Sequence, residues 1–186
     1  MLPGVADLRD RLATFRYSVF RLETLQVYAG SSEDPARAAF QRGDPTPPPD
    51  PHQDQWVTML RAHRDAGRTQ QRVHVIREPV SDYLAFELTW EYGPHAAAGE
   101  DIRIIPITGT WPLDVPERDF WLVDSRHLFH LRYTDTGAWL GAVHITDPAM
   151  VAQACFARDA ALHQATPWVD YLAAHPTLLQ RVPKGA

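Results

Sequence analysis

Apolar residues recur at spacings of three and four along several stretches of the chain, which is the period of a helix with one buried face. Val5, Leu8 and Leu12 set this pattern near the start of the chain. Capping residues followed by the same spacing predict further helices, which run from Ser31 or Ser32 to Phe40, from Trp56 to Gly67, from Ser81 or Asp82 to Trp90, from Asp147 to Leu162 and from Thr166 to Leu172. Gly93 and Pro94 should break or kink the helix that contains Trp90.

Between these helices, apolar residues alternate with polar ones, which is the period of a strand. The alternation predicts strands over residues 18–28, 72–76, 102–107, 120–124, 128–133 and 139–146. Short turns near Ser125-Arg126 and Gly137 join the last three strands, which therefore form an antiparallel meander. Because helices and strands do not alternate strictly, the sequence predicts an α+β fold with an antiparallel sheet, packed by N-terminal, central and C-terminal helices.

The length of 186 residues is sufficient for one domain with a sizeable core. We expect this domain to span residues 1–175 and residues 176–186 to form a C-terminal tail. Five prolines lie within residues 44–54. Proline donates no backbone hydrogen bond, so this segment is predicted to be an extended surface connection.

The composition excludes several classes of protein. Cys155 is the single cysteine, so neither an intrachain disulfide nor a cysteine-based zinc site is expected. No apolar stretch is long enough to span a bilayer and no signal peptide begins the chain. The sequence therefore predicts a cytoplasmic protein that does not associate with a membrane. The net charge is −5 and the arginines are interspersed with acidic residues, so direct nucleic-acid binding is not expected.

The sequence contains none of the short motifs that carry well-known chemistry. Glycine-rich nucleotide loops, the HExxH zinc motif, the GxSxG nucleophile elbow and CxxC are all absent. His127 and His130 form an HxxH pair, but on a strand they lie on opposite faces. No cofactor and no metal site are therefore predicted, and the catalytic residues, if any, are unknown.

The predicted meander collects polar side chains on one face of the sheet. A turn centred on Ser125-Arg126 places Trp121 opposite His130, which in turn lies opposite residues 142–144. The apolar face would consist of Phe120, Leu122, Phe129, Leu131 and Tyr133. The other face would collect Asp119, Trp121, His130, Arg132 and His144. Such a set can bind an anion or perform acid–base chemistry, whereas the alternative is an ordinary solvent-facing sheet surface.

A second candidate group consists of Asp82, Tyr83 and Glu87 on one helix, with Glu23 of the first strand as a similar case. Glu87 shares a helix stripe with Tyr83 and should be partly buried. A buried carboxylate needs a cation or several hydrogen-bond donors. The arginines available for this role are Arg21 and Arg72. A structural ion pair and a catalytic or binding acid are both compatible with this pattern.

The segments FRLE (residues 20–23), SDYLAFE (residues 81–87) and DFWL (residues 119–122) follow one another in the chain. In this combination the sequence resembles a family of actinobacterial proteins known as a domain of unknown function. The resemblance covers most of the chain, from the first helix to Tyr171. Members tend to lie near genes for helix-turn-helix regulators, which implies an accessory role in regulation. The resemblance transfers no catalytic residue.

Two functional hypotheses follow. The first is a cytosolic accessory regulatory or interaction protein, which binds a protein partner, such as a helix-turn-helix regulator, or a small effector molecule. The second is a small enzyme that uses carboxylate and histidine acid–base chemistry in a pocket near Glu87, Asp119 and His130.

Overall fold

The computed structural model describes residues 4–30 and 33–179. The strands are β1 (Ser18–Glu23), β2 (Thr69–Arg77), β3 (Glu100–Ile107), β4 (Phe120–Val123), β5 (His127–Tyr133), β6 (Trp139–Ile145) and β7 (Thr166–Pro167). The helices are α1 (Val5–Thr14), α2 (Asp34–Arg42), α3 (Pro51–Asp65), α4 (Asp82–Phe86), α5 (Tyr92–Ala98), α6 (Pro148–Gln164), α7 (Trp168–Ala174) and α8 (Pro176–Leu179). The predicted single-domain α+β fold is confirmed.

Within the described residues, the seven strands form one sheet in the order β6-β5-β4-β1-β2-β3-β7. The meander of β4, β5 and β6 is antiparallel, as predicted. The pairs β1-β2 and β2-β3 are parallel, which the prediction of an antiparallel sheet did not include. Helices connect these strands, because a parallel pair needs a long crossover from one end of the sheet to the other.

The observed helix starts follow local capping chemistry. The side chains of Ser81 and Asp147 accept hydrogen bonds from Leu84 and Ala149, as the sequence predicts for N-caps. Asp50 caps α3, so the proline-rich segment contains the first turn of that helix. The predicted caps Ser31 and Ser32 lie outside the described residues. Within the described ranges, no helix combines the length and apolar character needed to cross a membrane.

A π-helical segment, Glu87–Glu91, joins α4 to α5. Its wide turn is closed by a hydrogen bond from the N–H of Tyr92 to the carbonyl of Glu87, five residues earlier. Pro94 lies in the following turn and has no N–H to donate to the carbonyl of Trp90. The helix is therefore widened before Pro94 and continues to Ala98, so of the predicted break or kink the structure shows no break.

The sheet is covered on both faces. On the α6 face, apolar strand residues pack against the alanines of α6; they include Phe20, Leu22, Val73, Val75, Ile105, Phe120, Leu122 and Leu128. The opposite face, here called the cavity face, is covered by the other helices and carries Arg21, Glu23, Arg72, His74, Trp121, Phe129 and Leu131. Alternation along each strand therefore separates an apolar layer from a layer that contains the buried charges.

The register of the meander differs from the prediction by one residue. Asp124 and Ser125 adopt positive φ angles, and the N–H of Arg126 donates to the carbonyl of Val123. This places the centre of the turn at Ser125, so that Trp121 pairs with Phe129 and not with His130.

A one-residue shift exchanges the faces of a strand. Phe120 and Leu122 consequently share the α6 face with His130, whereas Phe129 and Leu131 lie with Trp121 on the cavity face. The predicted grouping of Trp121 with His130, and of Phe120 with Phe129, is wrong. The predicted pairing of His130 with residues 142–144 is confirmed, since His130 lies opposite Val143.

The turn between β5 and β6 packs against the segment that follows β1. Gly137 has a φ of +84°, and a Cβ atom at this position would lie 2.3 Å from the carbonyl oxygen of Val27. Its own carbonyl accepts a hydrogen bond from the N–H of Ala29 at 3.1 Å. A side chain at position 137 would therefore meet both backbone strain and a backbone clash.

We predict that Gly137→Ala lowers the free energy of unfolding by at least about 1 kcal/mol. Chemical denaturation measures this value. Gly109→Ala is the matched control, because no atom lies within 4 Å of the added Cβ and the backbone there is not left-handed. Equal stability of the two variants would contradict the close packing of the turn.

Candidate functional site

A cavity of about 870 Å³ opens on the cavity face of the sheet. Its walls combine aliphatic side chains, such as Leu8, Leu12 and Leu131, with six aromatic ones: Tyr28, Trp56, Tyr83, Trp121, Tyr133 and Trp139. Four charged or ionisable residues, Arg21, Glu23, Arg72 and Glu87, lie at its floor. Binding sites for small molecules commonly have this volume and this combination of apolar walls with a few polar groups.

A chain of ion pairs runs across the three parallel strands at this floor. Arg21 contacts Glu23 at 2.6 Å, and Glu23 contacts Arg72 at 3.1 Å. Arg72 also donates two hydrogen bonds to the carboxylate of Glu100, at 3.0 and 3.3 Å. Two cations thus alternate with two anions, and each buried charge has a partner of opposite sign.

The strands create this chain because alternate residues point to the same face. Arg21 and Arg72 lie directly opposite each other in the parallel register of β1 and β2. Their positive charges repel each other, and Glu23, two residues after Arg21, supplies the carboxylate that both contact. Burial acts to raise the pKa of Glu23, but Arg21 and Arg72 outweigh it and lower this pKa to about 2.

Glu87 belongs to the same floor but has tyrosines as its hydrogen-bond partners. The Tyr83 hydroxyl donates to Glu87 Oε1 at 2.8 Å, and the Tyr92 hydroxyl lies 3.1 Å from Glu87 Oε2. Burial, followed by the nearby carboxylates of Glu23 and Glu33, raises the pKa of Glu87 well above its ordinary value. The pKa values of Glu23 and Glu87 are therefore shifted in opposite directions, a pattern typical of functional sites.

The hydrogen bonds around His74 agree with a protonated Glu87. His74 Nε2 lies 2.8 Å from the carbonyl oxygen of Leu25, which only accepts, so Nε2 carries the proton. Burial lowers the pKa of His74, and the neutral ring then has a lone pair on Nδ1. The Tyr92 hydroxyl, 2.6 Å away, donates to that lone pair. With that proton used, the 3.1 Å contact between the Tyr92 oxygen and Glu87 Oε2 is consistent with a protonated Glu87 that donates to Tyr92.

The π-helical segment is what brings Tyr92 to Glu87. In a regular α-helix the residue that follows Glu87 on the same stripe is Glu91, four positions later. The wide turn shifts this position to Tyr92, while Tyr83 remains one α-helical turn before Glu87. Both carboxyl oxygens of Glu87 are consequently occupied by hydroxyl groups, and π-helical turns of this kind are frequent at functional sites.

Arg21 is the floor residue with unused hydrogen-bonding capacity. Its guanidinium lies 5.3 Å from the ring centre of Trp121 and 5.9 Å from that of Tyr28. Glu23 is its single hydrogen-bond or ion-pair acceptor among the described residues, and Nε is buried without a partner. The Arg21 side chain is 20% exposed, whereas that of Arg72 is 5% exposed. Arg21 is thus a cation at the floor of the cavity that retains free N–H donors.

The sequence predicts Asp119 on the same face of the meander as Trp121. In the structure Asp119 lies behind the cavity wall. Its carboxylate accepts from the N–H and the hydroxyl of Thr24, both at 2.7 Å, and from the Tyr28 hydroxyl at 2.6 Å. The structure assigns it to holding Tyr28 and the end of β1. Asp82 is exposed in the first turn of α4.

His130 and Arg132 do not join this site. His130 lines a separate cavity of about 510 Å³ beside α6, with Arg118 at 3.3 Å from its Nδ1. Burial, then Arg118 and Arg132, lowers the pKa of His130 to about 4. Arg132 is exposed. The predicted pocket shared by Glu87, Asp119 and His130 is therefore wrong, because the turn register places His130 on the α6 face.

His144, the remaining residue of the predicted polar face, contacts Asp7 of α1 at 2.8 Å and stacks on Phe129. Among residues 4–30 and 33–179, no group of three or more His, Cys, Asp or Glu side chains is arranged to hold a metal ion.

Several members of the site were not predicted from the sequence: Tyr28, Trp56, His74, Tyr92 and Glu100. One available signal was the presence of charged residues within strands that are otherwise apolar, as in Arg72-Val73-His74-Val75. Charged side chains at such positions are buried only when they are paired. The identity of the partners depends on strand order and on the π-helical turn.

Replacing Glu23 or Glu87 by glutamine is predicted to change the stability of the protein in opposite directions. We expect Glu23→Gln to lower the free energy of unfolding by about 3–5 kcal/mol, because Arg21 and Arg72 lose a shared buried counter-ion. Glu87→Gln should preserve or increase stability at about pH 8, since a neutral amide can accept from Tyr83 and donate to Tyr92. Urea denaturation of both variants measures the difference.

The pH dependence of Glu87 has a defined sign. The folded protein keeps the Glu87 proton at pH values where the unfolded chain has released it, so this group lowers stability as pH rises above the ordinary glutamate value of 4.5. The stability of Glu87→Gln relative to the wild type should therefore increase between about pH 5 and about pH 8. A difference that shrinks over this range would contradict the neutral state of Glu87.

Comparison with known proteins agrees with the resemblance seen in the sequence. A search of curated proteins found no match to the chain. A family profile described as "Domain of unknown function (DUF6879)" matches residues 6–173, which include every strand of the sheet and all the residues that line the cavity except Val5. The chain therefore belongs to the DUF6879 family.

Proposed function

We propose that the protein is an accessory regulatory protein that binds a small organic effector in the cavity at the centre of the sheet. The observation that carries this proposal is an aromatic-walled cavity of about 870 Å³ whose floor contains Arg21, a cation with free donors. Sites for small molecules combine apolar walls with a few oriented polar groups in this way. A regulatory role is what the family resemblance implies, and effector binding gives that role a physical basis.

The floor is well suited to recognition because it is rigid before anything binds. Arg72 and Glu100 form a bidentate pair, and Glu23 is 1% exposed, so neither can rearrange cheaply. A preorganised site loses little conformational entropy when a ligand enters. The rim is formed by helices, where α1 contributes Arg9 and Ala13 and α3 contributes His52 and Gln55.

Acid–base catalysis by Glu87 is a second candidate function. A carboxyl group that lies in a cavity and has a raised pKa has the property required of a general acid. Glu87→Gln distinguishes the two functions, because an amide can replace the neutral acid in binding but cannot release a proton. Effector binding is favoured since Arg21, the group with free donors, is a recognition residue and not a proton donor.

The test uses a variant that blocks the rim without touching the floor. Ala13 is exposed on α1 and lines the cavity, so Ala13→Trp should place a large ring across the opening. Ala6→Trp is the matched control, because Ala6 is exposed on the same helix outside the cavity. We expect native mass spectrometry of gently isolated protein to show a bound small molecule in the wild type and in Ala6→Trp, and at least tenfold less of it in Ala13→Trp.

Retention of the same small molecule by Ala13→Trp would place its site elsewhere and overturn the proposal. Isolation of the wild type with no bound molecule, together with no thermal stabilisation by a panel of metabolites, would also overturn it. Turnover of a bound molecule by the wild type and its loss in Glu87→Gln would instead establish the enzyme.

A further inference from the structure

The acceptor and donor groups at the floor of the cavity are unequally used. The carboxylates are engaged: Glu23 by Arg21 and Arg72, Glu100 by Arg72, and Glu87 by Tyr83. Arg21, by contrast, offers five N–H donors of which Glu23 accepts at one nitrogen. A molecule that reaches this floor therefore meets unused donors and occupied acceptors.

Trp56 repeats the pattern of Arg21. The indole Nε1 of Trp56 is a donor only, and it is buried without a hydrogen-bond partner, like Nε of Arg21. Both groups lie against Trp121, with the Trp56 ring at 6.1 Å from the Trp121 ring and the Arg21 guanidinium at 5.3 Å. Two unsatisfied donors thus flank one aromatic ring in the cavity wall, and buried donors without acceptors are rare in native proteins.

Arginines already lie over three of the six aromatic rings of the cavity, which disfavours a second cation there. Binding of an ammonium group needs free ring faces and carboxylates that remain charged. The faces of Tyr28 and Trp121 are taken by Arg21, and that of Tyr83 is taken by Arg37. Of the carboxyl groups that line the cavity, Glu23 is paired with two arginines, Glu87 has a raised pKa, and Glu33 lies 3.4 Å from the Tyr83 hydroxyl.

We infer that the effector is a planar aromatic molecule with a carbonyl or carboxylate oxygen, which accepts hydrogen bonds from Arg21 while its ring packs against the aromatic wall beside Trp56 and Trp139. This inference rests on the proposed function and names the chemistry of its ligand. A guanidinium presents its donors in one plane, which matches the geometry of a carboxylate or carbonyl oxygen. The Glu23 carboxylate beside Arg21 is already paired with two arginines, and the cavity volume accommodates a two-ring molecule.

Three probes that share one ring system separate the effect of the polar group from that of the ring. They are 2-naphthoate, 2-naphthamide and 2-naphthylmethylamine, which present a carboxylate, an amide carbonyl and an ammonium group. Isothermal titration calorimetry with the full chain should show binding of the naphthoate, the naphthamide or both, with the amine at least tenfold weaker. The ratio between the first two probes distinguishes an anionic from a neutral acceptor.

Two variants assign the donors. Arg21→Lys keeps the positive charge beside Glu23 and removes the planar fork, so it should weaken the tighter oxygen-bearing probe at least tenfold. Arg103→Lys is its control, because Arg103 pairs with Asp101 outside the cavity. Trp56→Phe removes one N–H and keeps a ring, and it should weaken the same probe several-fold. Its control is Trp111→Phe, which loses an indole hydrogen bond to Val115 outside the cavity.

Thermal unfolding of each variant separates loss of binding from loss of the fold. If Arg21→Lys fails to fold, Trp56→Phe against Trp111→Phe decides the assignment. Binding of the amine as tight as that of the naphthoate would overturn the inferred ligand class, as would binding unaffected by both Arg21→Lys and Trp56→Phe. Failure of all three probes to bind would also overturn it. If the wild type co-purifies with a molecule of another chemistry and Ala13→Trp loses that molecule, the proposed function stands without this ligand class.

Discussion

The carboxylate of Glu23, shared by Arg21 and Arg72, is the interaction on which the centre of the structure depends. Charges are tolerated inside a protein only when each is paired and hydrogen-bonded. Arg21 and Glu23 lie on β1, Arg72 on β2 and Glu100 on β3, so their pairing ties three parallel strands together. A slip of one residue would turn one of these charges toward the apolar layer under α6. The interaction that aligns the sheet also builds the floor of the cavity.

Local patterns were sufficient for most of the elements, although β1 ends at Glu23 and not at Tyr28, and they were insufficient for the arrangement of the elements. The caps Ser81 and Asp147 and the alternation within each strand depend on neighbouring residues, and the structure confirms them. Strand order depends on contacts between residues far apart in the chain, so the parallel centre was not predicted. The face of His130 depended on whether the hairpin turn is centred on Ser125 or between residues 125 and 126, which periodicity does not specify.

The candidate site was predicted only as far as its carboxylates. Glu23 and Glu87 stand out because they interrupt apolar stripes. Their partners do not, since Tyr92 lies on the same side as Glu87 only in a helix with a π-helical turn. Arg21 was available as a cation from the sequence, but its free donors follow from the strand register that commits Arg72 to Glu100.

The hydrogen-bonded series from Tyr83 through Glu87, Tyr92 and His74 ends on the carbonyl oxygen of Leu25. That oxygen neither releases nor takes up a proton at physiological pH. Within the described residues, a proton on Glu87 therefore has on one side a series that ends in a group unable to take it up. On the other side lies the open cavity. A molecule bound in the cavity would cover this open side, and we expect proton exchange between Glu87 and bulk water to slow when the cavity is filled.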